Sequence, residues 1–168
     1  MYNSVPNVGG TELIQVDEVG QEWLCYNGQR RAIMMRVPFI YQIPTVSALA
    51  AGATSTPVSV LIDSGSDFLW QAGTYEYDLA GAAYTYSTRP MPNWTVNIND
   101  SGSGRNLQNI AAPVGAWFGA VEKPIVRPLP YLFGAAATVQ FTFTNFDAAV
   151  ATGVIRCSLI GQQIYYKG

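Results

Sequence analysis

Two aspartates in this chain head the same four residues. Asp63-Ser64-Gly65-Ser66 follows the apolar run Val60-Leu61-Ile62, and Asp100-Ser101-Gly102-Ser103 follows Asn97-Ile98-Asn99. An aspartate held on a tight turn can activate water when a second carboxylate a few ångströms away shares one proton with it. Other routes to hydrolysis are closed. The chain has no histidine, which removes Ser-His-Asp and Cys-His nucleophiles and the commonest zinc ligand. Cys25 and Cys157 lie far apart and match no metal-binding spacing. They read as two ordinary thiols of a reduced protein, with a disulfide open only if their strands are neighbours. No metal and no cofactor are expected.

Val60 to Ser66 resembles the Asp-Thr/Ser-Gly turn of aspartic proteases, and Leu159-Ile160-Gly161 resembles the apolar pair and glycine that pack behind it there. With one such turn, the resemblance implies a dimeric enzyme of the retroviral type, Asp63 supplying half of the dyad. Several features weigh against it. The nearest candidate for a glycine-rich flap, "GTYEYDLAG", is rich in charge and bulk, and the chain is much longer than a retroviral-type unit. The second tetrapeptide is preceded by "NIN", which lacks the buried strand the motif requires. Asp, Ser and Gly are turn formers in any case. The favoured reading is a turn or bulge from Asp63 to Asp67, with Gly65 free to take positive φ. Phe68 and Trp70 then return to the face of Val58, Val60 and Ile62, or to the opposite one. No catalytic residue is assigned, and the chain is read as non-enzymatic.

The elements around these turns show period two. "AIMMRVPFIYQI" places Ile33, Met35, Val37, Phe39, Tyr41 and Ile43 on one face and Met34, Arg36, Ile40 and Gln42 on the other. Pro38 cannot donate to a ladder, so this strand lies at an edge or bulges there. "PVSVLI" aligns Val58, Val60 and Ile62, and "NWTVNIND" aligns Trp94, Val96 and Ile98. "TVQFTFTNF" sends Val139, Phe141 and Phe143 inward, and "GVIRCSLIG" and "QQIYY" complete the chain. Between them lie the breakers "SALAAGATSTP", "STRPMPN", "DSGSGR", "KPIVRPLP" and "NFDAAVATG", while "RNLQNIAA" has weak helical spacing. The expected fold is all-β: an antiparallel sandwich, a jelly roll by preference, with at most one short helix. Residues 1–168 form one domain, with 1–10 as a candidate flexible N-terminal arm.

Charged residues make up only 12% of the chain, and the net charge is −2. The one tight basic pair, Arg30-Arg31, reads as a solvated strand end, so no nucleic acid partner is expected. The longest uncharged run, 37–62 with Arg36 just before it, holds Pro38, Pro44 and Pro57 and many hydroxyls, which a membrane span would not carry. "MYNSVPNVGG" lacks the basic and apolar segments of a signal peptide. The sequons at Asn93 and Asn99 are then read as chance. So little charge suits a subunit whose surface is covered by neighbours.

"VPFIYQIPTVSALAAGATSTPVSVLIDSGSDFLW" and "RPLPYLFGAAATVQFTFTNFDAAVATGVIRCSLIGQQIYY" resemble the opening and closing parts of virion accessory proteins of tailed bacteriophages. In those, an apolar strand, a small-residue loop and a strand ending in an Asp-Phe pair recur. A Thr/Phe strand ending at Thr-Asn and a last strand closing on Gly-x-x-Ile-Tyr follow. Here the later features are Tyr131, Phe133, Thr144, Asn145, Gly161 and Ile164-Tyr165. The resemblance implies a capsid cement or decoration protein, made in the bacterial cytoplasm and carried on the virion. Its expected partners are the major capsid protein or other virion proteins, and its own copies, as a homotrimer. A neck, tail or receptor-binding role is the alternative, with Trp94, Trp117 or tyrosines stacking on glycan rings. The stretch 75–123 carries no resemblance.

Overall fold

Alternating apolar side chains give each strand one face that must leave water, and two such sheets satisfy each other face to face. The computed structural model describes residues 3–4, 13–26, 28–79, 93–147 and 151–168. Its strands are β1 (Asn3–Ser4), β2 (Ile14–Val16), β3 (Glu22–Tyr26), β4 (Gln29–Gln42), β5 (Val58–Leu61), β6 (Asp67–Leu79) and β7 (Trp94–Asp100). There follow β8 (Arg105–Asn106), β9 (Ala112–Pro113), β10 (Gly119–Ala120), β11 (Ile125–Phe133), β12 (Thr138–Asn145) and β13 (Thr152–Tyr166). One sheet runs β1-β2-β3-β4-β13-β6, with β10 and β11 along the far side of β6. The other runs β5-β12-β7, with β8 and β9 beyond β7. The pairs β4·β13, β5·β12, β6·β11 and β7·β9 nest one inside the next. That is a long hairpin rolled into two sheets, the jelly-roll order. Among the described residues every ladder is antiparallel except β10 with β6.

The main core lies between the sheets. Val60, Val96, Ile98, Val139, Phe141 and Phe143 of the smaller sheet meet Phe68, Trp70, Phe133, Ile155 and Leu159 of the larger. Burying each of these large side chains contributes about 1.5–3 kcal/mol. Phe68 and Trp70 therefore face Val60 and Ile62 across the sandwich, and the turn between them carries the chain from one sheet to the other. Leu69 points the opposite way by the period of two. It joins Leu132, Ile164, Leu24 and Ile33 in a second cluster, where the β2–β3 hairpin covers the outer face of the larger sheet.

β13 is one strand of 15 residues rather than the two segments its sequence suggests. Its ladder with β6 slips by one residue between Ile160 and Gly161. A side chain at Gly161 would stand 2.0 Å from the Leu69 carbonyl oxygen, so this bulge admits only glycine. The stretch "KPIVRPLP" is not a breaker: it forms β11, whose prolines sit where the pairing with β6 is interrupted, between Val126 and Tyr131. "RNLQNIAA" forms no helix but two short strands joined by bends. The only helical piece among the described residues is the 3-10 turn Val114–Ala116. Met35 and Phe39 are 47% and 38% exposed, because β4 runs along a sheet edge beyond residue 33. Of the candidate N-terminal arm, Asn3 and Ser4 pair with β2, and the rest lies outside the described residues. "STRPMPN" also lies outside them, apart from Asn93.

Candidate functional site

At one end of the sandwich the start of β4, the start of β6, the end of β7 and the end of β11 enclose a cavity of about 360 Å³. Two nearly buried carboxylates stand in its wall, Asp67 at 5% and Asp100 at 2% exposure. Buried carboxylate oxygens need donors, and each aspartate has three. Asp67 Oδ1 accepts the Ala135 N–H at 2.8 Å. Its Oδ2 accepts the Tyr166 hydroxyl at 2.5 Å and Arg31 Nη1 at 3.1 Å. Asp100 Oδ1 accepts the Gly102 N–H at 2.9 Å, while Oδ2 accepts the Ser103 hydroxyl at 2.7 Å and the Tyr131 hydroxyl at 2.9 Å.

These bonds tie distant parts of the chain together. Arg31 also lies over the Tyr166 ring at 3.4 Å, so β4 and the C-terminal end of β13 are clamped on Asp67. Tyr131 brings β11 to the turn after β7. Burial raises the pKa of Tyr131 above its ordinary 10.0, a hydrogen bond to Ser103 draws it back, and Asp100 pushes it up again. Tyr166 is raised too, by burial first and then by Asp67. Both phenols stay protonated at neutral pH and serve as donors. With its acceptors engaged in this way, the pair of carboxylates is built to hold a shape rather than to move a proton.

The other donors face the opening. Arg31 is about half exposed, and Arg105 is exposed at the head of β8. Tyr26 and Ser103 line the same space, over an apolar wall of Leu24 and Leu132. Among the described residues no cluster of three or more histidines, cysteines or acidic residues is arranged to hold a metal. No helix among them is long and apolar enough to cross a membrane.

Asp63 is elsewhere. It sits on the exposed turn between β5 and β6, outside the cavity lining. Its Oδ1 accepts the Gly65 N–H at 2.6 Å, and its own N–H is donated to the Tyr41 hydroxyl at 2.9 Å. Both tetrapeptides are thus Asx turns with the same i to i+2 bond. Gly65 does not adopt positive φ; in the second turn the residue that does is Gly104. Gly161 packs against β6 at Leu69 and Phe68. The two thiols are unpaired: Cys25 on β3 and Cys157 on β13 are both free, and burial pushes Cys157 well above the ordinary thiol range.

Trp94 is not an exposed stacking platform. It is 2% exposed and packs edge-on against Tyr75 and Phe143. Trp117 is partly buried, stacked on Trp70 at 5.8 Å. The Arg127 guanidinium lies over both rings, 4.1 Å from Trp70 and 4.8 Å from Trp117. Burial lowers its pKa to about 10.

Four residues of the cavity carried little sequence signal. Arg31 looked like a solvated strand end, Asp67 like the last residue of a turn, Arg105 like the end of a breaker, and Tyr131 entered only as a feature of the resemblance. The one available sign was the second tetrapeptide, read only as a turn. No protein-family model, curated protein or solved structure matches the chain.

Proposed function

We propose that this chain is a non-enzymatic structural protein of a tailed-bacteriophage virion, a cement or decoration subunit that stabilises the head. It binds the major capsid protein and its own copies, as a homotrimer on the capsid surface. The observation that carries the reading is apolar exposure on a surface poor in charge. Ile40, Ile160, Ala72 and Val126 lie side by side across β4, β13, β6 and β11 on the outer face of the larger sheet, with Ala72 buried and Ile160 partly buried between the two outer residues. Ile40 is 59% and Val126 73% exposed. Met34 and Leu129 on the same two outer strands are also exposed. Such a face gains free energy when a neighbour covers it, and an interface of ordinary size buries about 1,600 Å² in total. Repetition over a capsid makes weak single contacts effective. The non-enzymatic part is supported by the two Asx turns, whose aspartates are separated and engaged as acceptors.

The test is a copy-number measurement on purified particles of the encoding virus. A stoichiometry that scales with the capsid subunits supports the cement reading, and absence of the chain from particles rejects the virion reading. A second reading, a neck, tail or receptor-binding virion protein, is favoured by the polar cavity and would place the chain there in few copies.

A further inference from the structure

The Arg105 side chain has no hydrogen bond or ion pair among the described residues, although it stands at a cavity with two buried carboxylates. Asp67 is neutralised by Arg31, whereas Asp100 is held by two hydroxyls and one backbone N–H, without a cation. On each aspartate Oδ2 accepts two donors and Oδ1 one, so each Oδ1 keeps a lone pair for a further donor. Tyr26, Tyr131, Leu24 and Leu132 line the same cavity.

We infer that this cavity binds one sugar unit bearing a carboxylate. The free guanidinium fork of Arg105 takes the planar carboxylate, Asp67 and Asp100 accept ring hydroxyls, and the aromatic wall takes a sugar face. A volume of about 360 Å³ is at the low end for small-ligand sites, which suits a single pyranose rather than a nucleotide. A phosphate dianion, with twice the charge of one carboxylate, is repelled more strongly by Asp67 and Asp100 in the wall. A neutral sugar would leave Arg105 unused. The inference stands apart from the virion reading, which copy number on particles decides.

The experiment is a titration of the full chain with glucuronate, glucose and acetate, followed by amide chemical shifts or calorimetry. Glucuronate should bind with a Kd of about 1 mM, the scale of a few hydrogen bonds and one ring face. Glucose and acetate should each bind about tenfold more weakly or worse, because each offers only part of the match. Arg105→Ala breaks no side-chain hydrogen bond or ion pair among the described residues, so its melting temperature should stay near that of the native chain while glucuronate affinity falls at least about tenfold. Lack of glucuronate binding overturns the inference. So does equal binding of glucose or acetate, or glucuronate binding unchanged in Arg105→Ala.

Discussion

Replacing each of the two turn aspartates by alanine separates identical sequence from different surroundings. Asp63→Ala removes one acceptor from the Gly65 N–H, on a turn where water can take its place. Its cost should be about 0.5–1 kcal/mol. Asp100→Ala removes the acceptor of three donors. A hydrogen bond to a charged group contributes about 1.5–3 kcal/mol, but Ser103 and Gly102 are exposed and can turn to water. The half-buried Tyr131 hydroxyl cannot do so as freely. Allowing nearly full cost for Tyr131 and a fraction for the other two, Asp100→Ala should cost about 3 kcal/mol.

Equilibrium unfolding in urea reads the difference. With a slope of about 2 kcal/mol per molar, the midpoint of Asp100→Ala should fall by about 1.5 M and that of Asp63→Ala by less than about 0.5 M. Tyr131→Phe supplies the partner for a double-mutant cycle, and a coupling of about 1 kcal/mol or more locates the loss in that bond. Equal midpoints for the two alanine variants, or no coupling to Tyr131, would refute the reasoning that burial and shared donors set the difference.

Phe141→Ala, at a side chain fully buried in the centre of β12, should cost about 3–5 kcal/mol, against about 0.5 kcal/mol for Thr142→Ala on the other face, both by urea unfolding. Gly161→Ala brings a methyl against the Leu69 carbonyl and should cost about 3 kcal/mol or more, seen as a lost or strongly lowered melting transition. Cys157 has its folded pKa raised above the ordinary 9.0 by burial, so its contribution is complete below about pH 9 and declines as pH rises through the folded value. The stability difference between the native chain and Cys157→Ala should therefore shrink above pH 9 when unfolding is followed between pH 7 and 11, and a constant difference would contradict a buried neutral thiol.

Period two was enough to read β5, β7 and β12, because each is a short strand with one face in the core. Val139, Phe141 and Phe143 are inward as their spacing requires. The pattern was less informative where both faces are engaged. In β6 the residues Phe68, Leu69 and Trp70 are all buried, because the main core takes two of them and the hairpin-covered cluster takes the third. The prolines of β11 hid a strand because an edge position with interrupted pairing tolerates them. Non-local assembly hid the cavity. Arg31 and Asp67, or Asp100 and Tyr131, meet only after the roll has closed, and nothing within either tetrapeptide records that Asp63 stays in water while Asp100 is buried and bonded to β11.

The edge strand shows how local chemistry also limits what association can look like. The Ile43 N–H bonds the Cys157 carbonyl, and the register of β4 on β13 then runs without a break from Gln42 back to Met35. Counting back in twos, Val37, Phe39 and Tyr41 direct their backbone groups to β13, while Arg36, Pro38 and Ile40 direct theirs to the open side. Pro38 therefore places its missing N–H at the middle of an edge that no other described strand pairs with, which breaks the donor row that a further strand would need. Arg36 beside it is held by Glu22 at 2.7 Å, placing an ion pair on the same stretch. An edge so interrupted resists extension of the sheet by another chain's backbone. The exposed Met34, Met35, Phe39 and Ile40 remain available on its faces. A partner covering β4 must then work through these side chains, as one curved surface laid on another, and that mode of contact suits a subunit seated across a capsid seam.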